Sequence, residues 1–311
     1  MDTATQAPPK PTPAPTPLFV EKRFPLRLSP SITGIRDLYQ NGKANRWDPQ
    51  RDIPWADLDA DRYDPAVRLA ARWTWSRRLW IEAMGLKETP SLLVRFCVED
   101  QRESDPKFFL TVRGTEEAWH VDCFDRIAGR FGGRMDRPVT AAYEALFNRS
   151  LHRRALNAER SLDAYVVTHC AFEDGLELEL FRAYRRNAAD PVIAAVLDRC
   201  IADKERHASF GWLYAEERAP GWTDEERRTI TGELVDHMRT VELAGYHCPW
   251  LSNAAGTEAA ADMVCATAGL GAATADGEAA VLRGYLAAAR QKLRSLGIEL
   301  PEFQHTLLGT A

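Results

Sequence analysis

Glu116-Glu117-Ala118-Trp119-His120 and Asp203-Lys204-Glu205-Arg206-His207 are the two stretches whose reading decides the fold. Each opens on an acid and closes on His four residues later. The first contains Glu-x-x-His. The second keeps the frame but carries Lys204 where the Glu would stand. Residues three apart lie on one face of a helix, one turn from each other. Two such helices, with one Glu from each of two partner helices, build a dinuclear metal site inside a four-helix bundle. One half-site is therefore intact and the other altered.

The rest of the chain agrees with a helical protein. Its 311 residues suffice for one large domain or two. A net charge of −5 argues against nucleic-acid binding, which needs a basic face. No run is long and apolar enough to span a bilayer. The N-terminus lacks a charged-then-apolar signal pattern, so a cytoplasmic protein is expected. Cys97, Cys123, Cys170, Cys200, Cys248 and Cys265 form no Cys-x-x-Cys pair. They read as buried reduced thiols rather than a zinc site.

Residues 1–17 are rich in Pro, Thr and Ala and read as a disordered tail. Residues 18–63 read as an irregular segment anchored by aromatics, with Trp47 and Trp55 beside Asp-Pro and Ile-Pro turns. Asp-Pro recurs at Asp64-Pro65, Asp105-Pro106 and Asp190-Pro191, a helix N-cap followed by Pro at the first helical position. Helices are expected over 65–84, 91–103, 106–130, 139–148, 161–186, 191–218, 223–246, 257–268 and 277–296. Residues 64–218 would form the bundle and 219–311 a C-terminal helical extension. The fold class is all-α.

Helix register then selects partners. The connection 187–190 is short, so its flanking helices should be antiparallel neighbours. Glu173 and Lys204 lie equally far from it along the chain and should share one height. Glu173 is the expected carboxylate partner of the Lys204/His207 face, with Glu177, one turn away, in reserve. Glu82 precedes Glu117 by a similar interval and is favoured for the first half, although Gly85 and Pro90 predict a helix break after it. Glu88 and Glu99 stay open as alternatives. Glu116 and Asp203 are placed to orient ligating His rings. His169, four residues before Glu173, would line the same pocket or bond a backbone group or carboxylate. His237, His247 and His305 have no paired frame and receive no role.

The block 64–218 resembles the ferritin-like superfamily of di-iron carboxylate proteins, with residues 190–212 similar to its second metal-ligand helix. The ligand intervals and the Trp47-Asp48-Pro49 … Asp52-Ile53-Pro54-Trp55 stretch are similar to its p-aminobenzoate N-oxygenase-like branch. The resemblance implies a four-helix bundle with additional C-terminal helices. It implies a non-heme iron oxygenase acting on a small organic substrate, such as an amine or aromatic, with dioxygen and an electron donor it does not identify. The metal ligands it carries over are Glu82, Glu117, His120, Glu173 and His207. The cofactor is two irons, or one if Lys204 displaces the second, with manganese as the alternative metal. Bundles of this type are often homodimers. The chain departs from the branch at Lys204, where members have Glu, and at Cys200, where they have a further His.

Lys204 admits four readings. Its charge replaces a metal, it ligates one as a neutral amine, it is carbamylated, or it reacts as a catalytic amine. The first ranks highest, because an ammonium among buried carboxylates neutralises them without a metal. It leads to the alternative function, a non-catalytic or metal-deficient partner protein of the same fold.

Overall fold

The computed structural model describes residues 31–99 and 102–311. The Pro-rich stretch 1–17 and the start of the irregular segment lie outside them. Four long helical rods carry the architecture: α2 (Pro65–Val98), α3 (Ser104–Arg130), a third rod built from α6 (Leu162–Tyr165), a π-helical stretch (Val166–Glu173) and α7 (Asp174–Arg186), and α8 (Pro191–Arg218). The rods α2 and α3 pack together, as do α7 and α8, and α3 closes against α8. The bundle encloses Trp75, Phe124, Phe172, Phe181 and Leu197.

Around it lie α1 (Thr33–Ala44), the short α4 (Ala141–Phe147) and α5 (Leu151–Ala155), α9 (Asp224–His237) running into a second π-helical stretch (Met238–Glu242), α10 (Gly256–Thr267) and α11 (Ala275–Ser295). The only strands among the described residues are the antiparallel pair Gln304–His305 and Gly309–Thr310. No helix among the described residues is long and apolar enough to cross a membrane. Of the six cysteines, none in a disulfide, five are buried and Cys97 is exposed.

Three expectations change. First, α2 does not break after Met84 but runs through Gly85 and Pro90 to Val98. Packing along α3 outweighs the hydrogen bond that Pro90 cannot donate. The Glu117 carboxyl packs directly over Gly85, where a Cβ would come within 2.9 Å of its carboxyl carbon and push it aside. Second, residues 33–44 are helical rather than irregular. Asp105 does not cap α3 but lies within its first turn, its side chain accepting the Ile32 backbone N–H at 2.6 Å and pairing with Arg36 at the base of α1. Of the three Asp-Pro signals, Asp190 alone caps through its side chain, accepting from the Val192 and Ile193 N–H groups at 2.9 and 3.2 Å.

Third, α7 and α8 are offset. Arg185 meets Asp198 at 2.7 Å, Arg182 meets Glu205 at 2.6 Å, and Glu177 meets Lys204 at 2.7 Å. The connecting loop is held beyond the end of α7 by the Ala189 N–H donating to the Gly269 carbonyl at 2.8 Å, so α8 begins past α7 rather than level with it. The Lys side chain also reaches back toward its own helix N-terminus. Both effects move the partner of Lys204 one turn, from Glu173 to Glu177.

The third rod meets α8 at unusually close range. A Cβ on Gly211 would lie 2.1 Å from the carbonyl carbon and oxygen of Cys170. Only a glycine lets the two backbones touch there.

Candidate functional site

The bundle centre is a buried network of carboxylates, imidazoles and side-chain cations. Lys204 Nζ donates to Glu82 Oε2 at 2.9 Å and to Glu177 Oε2 at 2.7 Å. Burial works against its charge, but Glu177 and Glu82 overcome it and hold the ammonium above its ordinary value. Glu82 is correspondingly lowered to about 2: burial opposes this, and the charges of Lys204 and His120 prevail. His120 Nδ1 lies 2.8 Å from Glu82 Oε1 and its Nε2 3.0 Å from Asp203 Oδ2. Burial opposes protonation of His120, yet Cys200, Glu82 and Asp203 raise it well above the usual imidazole range.

The acids preceding each frame act crosswise. Asp203 holds His120, while Glu116 Oε2 lies 2.9 Å from His207 Nε2. Arg206 spans both acids, and Trp47 Nε1 donates to Asp203 at 2.9 Å. Sequence placed these acids beside the His residues but did not show that each serves the opposite helix. His207 is lowered well below its usual value, first by burial and then by the charges of Arg113 and Lys204.

A second cation flanks Lys204. Arg113, one turn before Glu117, donates to Glu117 Oε1 at 2.9 Å and to Asp174 at 2.6 Å. Thr89 adds a 2.8 Å hydrogen bond to the same Glu117 oxygen. Arg113, Thr89 and Asp174 were missed from sequence. Arg113 had a legible signal, its i,i+4 spacing to Glu117.

Of the expected site residues, the structure gathers Glu82, Glu117, His120, Lys204 and His207 around one centre. Glu173 stands apart from Lys204: both its oxygens accept from Arg149, at 2.8 and 3.0 Å, and His169 Nδ1 lies 2.7 Å from Oε2. Glu88 and Glu99 do not complete the first half. Glu88 accepts from Tyr165 at 2.6 Å, while Glu99 lies past the end of α2 and pairs with Arg95 and Arg102. His237 and His247, left without a role above, converge on Glu242 at 3.0 and 2.8 Å. His237 is joined to Glu242 by the π-helical stretch, whose repeat is five residues, and His247 reaches the same carboxylate across the turn that follows it.

The polar cavity between Lys204 and Glu173 has a volume of about 50 Å³. That is room for roughly three or four waters, too little for an aromatic amine.

Four long helices with a central carboxylate–histidine network are the ferritin-like bundle. Among solved structures, the chain is similar to a variant of an R2-like ligand-binding oxidase with an anaerobically reconstituted Mn/Fe cofactor. The two superpose with a TM-score of 0.64 at 19% identity, over 83% of this chain and 93% of that one. It is also similar to the R2-like ligand-binding oxidase of Sulfolobus acidocaldarius, with a TM-score of 0.59 at 16% identity, over 85% and 91% of the two chains. A photoconverted R2-like ligand-binding oxidase with an aerobically reconstituted metal cofactor gives 0.57 at 19% identity, over 83% and 92%. No protein-family model matches the sequence, and no curated protein matches it.

The bundle centre does not fit the metal pair that such a fold suggests. His120 is occupied at both ring nitrogens by carboxylates, Glu82 at Nδ1 and Asp203 at Nε2. Lys204 and Arg113 already neutralise Glu82, Glu177 and Glu117. The one buried acceptor left bare on these carboxylates is Glu117 Oε2. That oxygen and the His207 ring nitrogen not engaged by Glu116 are too few donors for two divalent ions.

Proposed function

We propose that this chain is an oxidase-fold bundle in which side-chain cations stand where that fold would carry a metal pair, so that its centre works as a charge-neutralised core rather than a two-metal oxygenase site. The observation that carries this reading is Lys204 Nζ, within 2.9 Å of carboxylates on both α2 and α7. An ammonium there supplies a positive charge to Glu82 and Glu177 and repels a dication. The small size of the central cavity supports the same reading, because an organic substrate has no room beside Lys204.

A second reading keeps non-heme iron oxygenase chemistry on a small organic substrate. It is favoured by the gathering of Glu82, Glu117, His120 and His207 on facing helices. Metal analysis after iron- and manganese-replete expression separates the two. The proposed function expects no metal pair in the wild-type chain, and two ions per chain lost on Glu117→Gln would overturn it.

A further inference from the structure

Beside the bundle centre lies a second cluster of donors. His169 and Glu173 sit on the π-helical stretch of the third rod, and His237 ends α9. One ligand atom from each of the three lies within 4.8 Å of the others. Donors held about 2.1 Å from one ion stand roughly 3–4 Å apart. His169 Nδ1 is 2.7 Å and His237 Nδ1 3.8 Å from Glu173 Oε2. Sub-ångström adjustments would seat a single ion.

We infer that His169 Nδ1, a Glu173 oxygen and His237 Nδ1 form a binding site for one divalent first-row transition ion, and that the Arg149 guanidinium holds its place until the ion displaces it.

Three further observations support this assignment. The far nitrogen of the His237 ring, Nε2, lies 3.0 Å from Glu242 Oε1. Donating N–H to that carboxylate fixes the tautomer that turns the Nδ1 lone pair toward Glu173, the usual support of a metal-bound imidazole. Arg149 Nη2 lies 3.3 Å from His237 Nδ1, 3.4 Å from His169 Nδ1 and 3.0 Å from Glu173 Oε2, at the point where the three donors converge. A cationic nitrogen thus already stands between an imidazole lone pair and a carboxylate oxygen. Finally, His169 Nε2 is buried without a partner. Its Nδ1 lies 2.7 Å from Glu173 Oε2, so an ion bound at Nδ1 requires the single proton of the neutral ring to move to Nε2.

The placeholder sits on a segment shaped to deliver it. Arg149 is buried although it comes from the link between α4 and α5, and the next residue, Ser150, has φ +53°. No other non-glycine among the described residues has positive φ. Such a conformation persists where the surroundings impose it, here the insertion of Arg149. Two imidazoles and one carboxylate leave open coordination positions and suit ferrous iron, manganese or zinc. The polar cavity that reaches both His169 and Glu173 has room for water at those positions.

Cobalt(II) titration of the chelator-treated full-length chain, followed by its ligand-field absorption, tests this. The wild type should bind one cobalt(II) per chain, with affinity reduced by the guanidinium. Arg149→Gln should bind at least about tenfold tighter, and His237→Gln should abolish binding in both backgrounds. Glu117→Gln should leave cobalt(II) binding unchanged, which separates this site from the bundle centre. Circular dichroism reports folding of each variant. If Arg149→Gln does not fold, the wild type and His237→Gln decide: binding lost with His237 supports the site. Absence of binding by the wild type at millimolar cobalt(II) overturns it. So does binding that survives in His237→Gln or disappears in Glu117→Gln.

Discussion

Lys204 Nζ stands 2.7 Å from Glu177 Oε2, one helical turn from the position that equal counting along α7 and α8 selects. This contact and its twin to Glu82 tie α8 to two other rods through a single ammonium. Lys204→Met removes the cation but not the buried acids. A broken buried ion pair costs about 3–5 kcal/mol, so the variant should lose stability of that order in urea unfolding. Lys204→Glu places a third carboxylate beside two and should be less stable still without metal. Added manganese(II) or iron(II) should raise its melting temperature and leave that of Lys204→Met unchanged. No metal response in Lys204→Glu would show that the centre cannot exchange an ammonium for a dication.

Gly211 offers a test of the bundle independent of charge. Because its missing Cβ would overlap Cys170 backbone atoms rather than a flexible side chain, α8 must move as a unit to accept Ala. Gly211→Ala should cost about 3 kcal/mol or more, at the upper end of overpacking effects. Gly232→Ala on α9 meets nothing within 4 Å and should stabilise by about 0.4–1 kcal/mol. Thermal unfolding of the two variants should therefore move in opposite directions. A shared direction would mean that the close approach of α8 to the π-helical stretch is wrong.

Glu278, in the first turn of α11, predicts a pH dependence outside the bundle centre. Burial first, and then the charge of Asp262, raises its carboxyl from its ordinary 4.5 to about 8, and Tyr184 Oη lies 2.9 Å away. The folded state thus binds a proton that the unfolded chain releases. The resulting stabilisation is fully present below about pH 4.5 and is lost as pH rises through about 8. Glu278→Gln cannot release that proton. Its unfolding free energy should fall less than the wild type's between pH 6 and pH 9. Parallel slopes would count against a neutral Glu278 in the folded chain.

Much of this structure was legible because its rules are local. The Glu-x-x-His frame, the antiparallel turn after Arg186 and the helical spacing of apolar residues all follow from 3.6 residues per turn, and they locate the bundle. What sequence missed depends on distant contacts. The offset of α8 is set by Gly269, on a loop 80 positions from Ala189. The crosswise acids need two helices in place before Glu116 can find His207. The His237–Glu242–His247 cluster was hidden because His237 meets Glu242 at a π-helical spacing of five, which an α-helical search does not register, and His247 comes back to it through a turn. Helix α1 was missed since its anchor, Asp105, looked like a cap for α3.

Arg113 and Glu117 allow the charge-neutralised centre to be measured as a coupling energy. Arg113→Met strips Glu117 Oε1 of its 2.9 Å donor while Glu117 Oε2 already lacks a partner. Burial raises the carboxyls of both Glu117 and Asp174, and Arg113 opposes it in each. Removing Arg113 should cost about 3–5 kcal/mol, as for a broken buried ion pair. Removing both members in Arg113→Met/Glu117→Leu leaves only Asp174 without its donor and should restore part of the loss. Urea denaturation of the two single variants and the double variant closes the cycle. A coupling of about 1–3 kcal/mol is expected for residues in contact. A coupling near zero would mean that Arg113 does not neutralise Glu117, and that the carboxylate is free to take another cation.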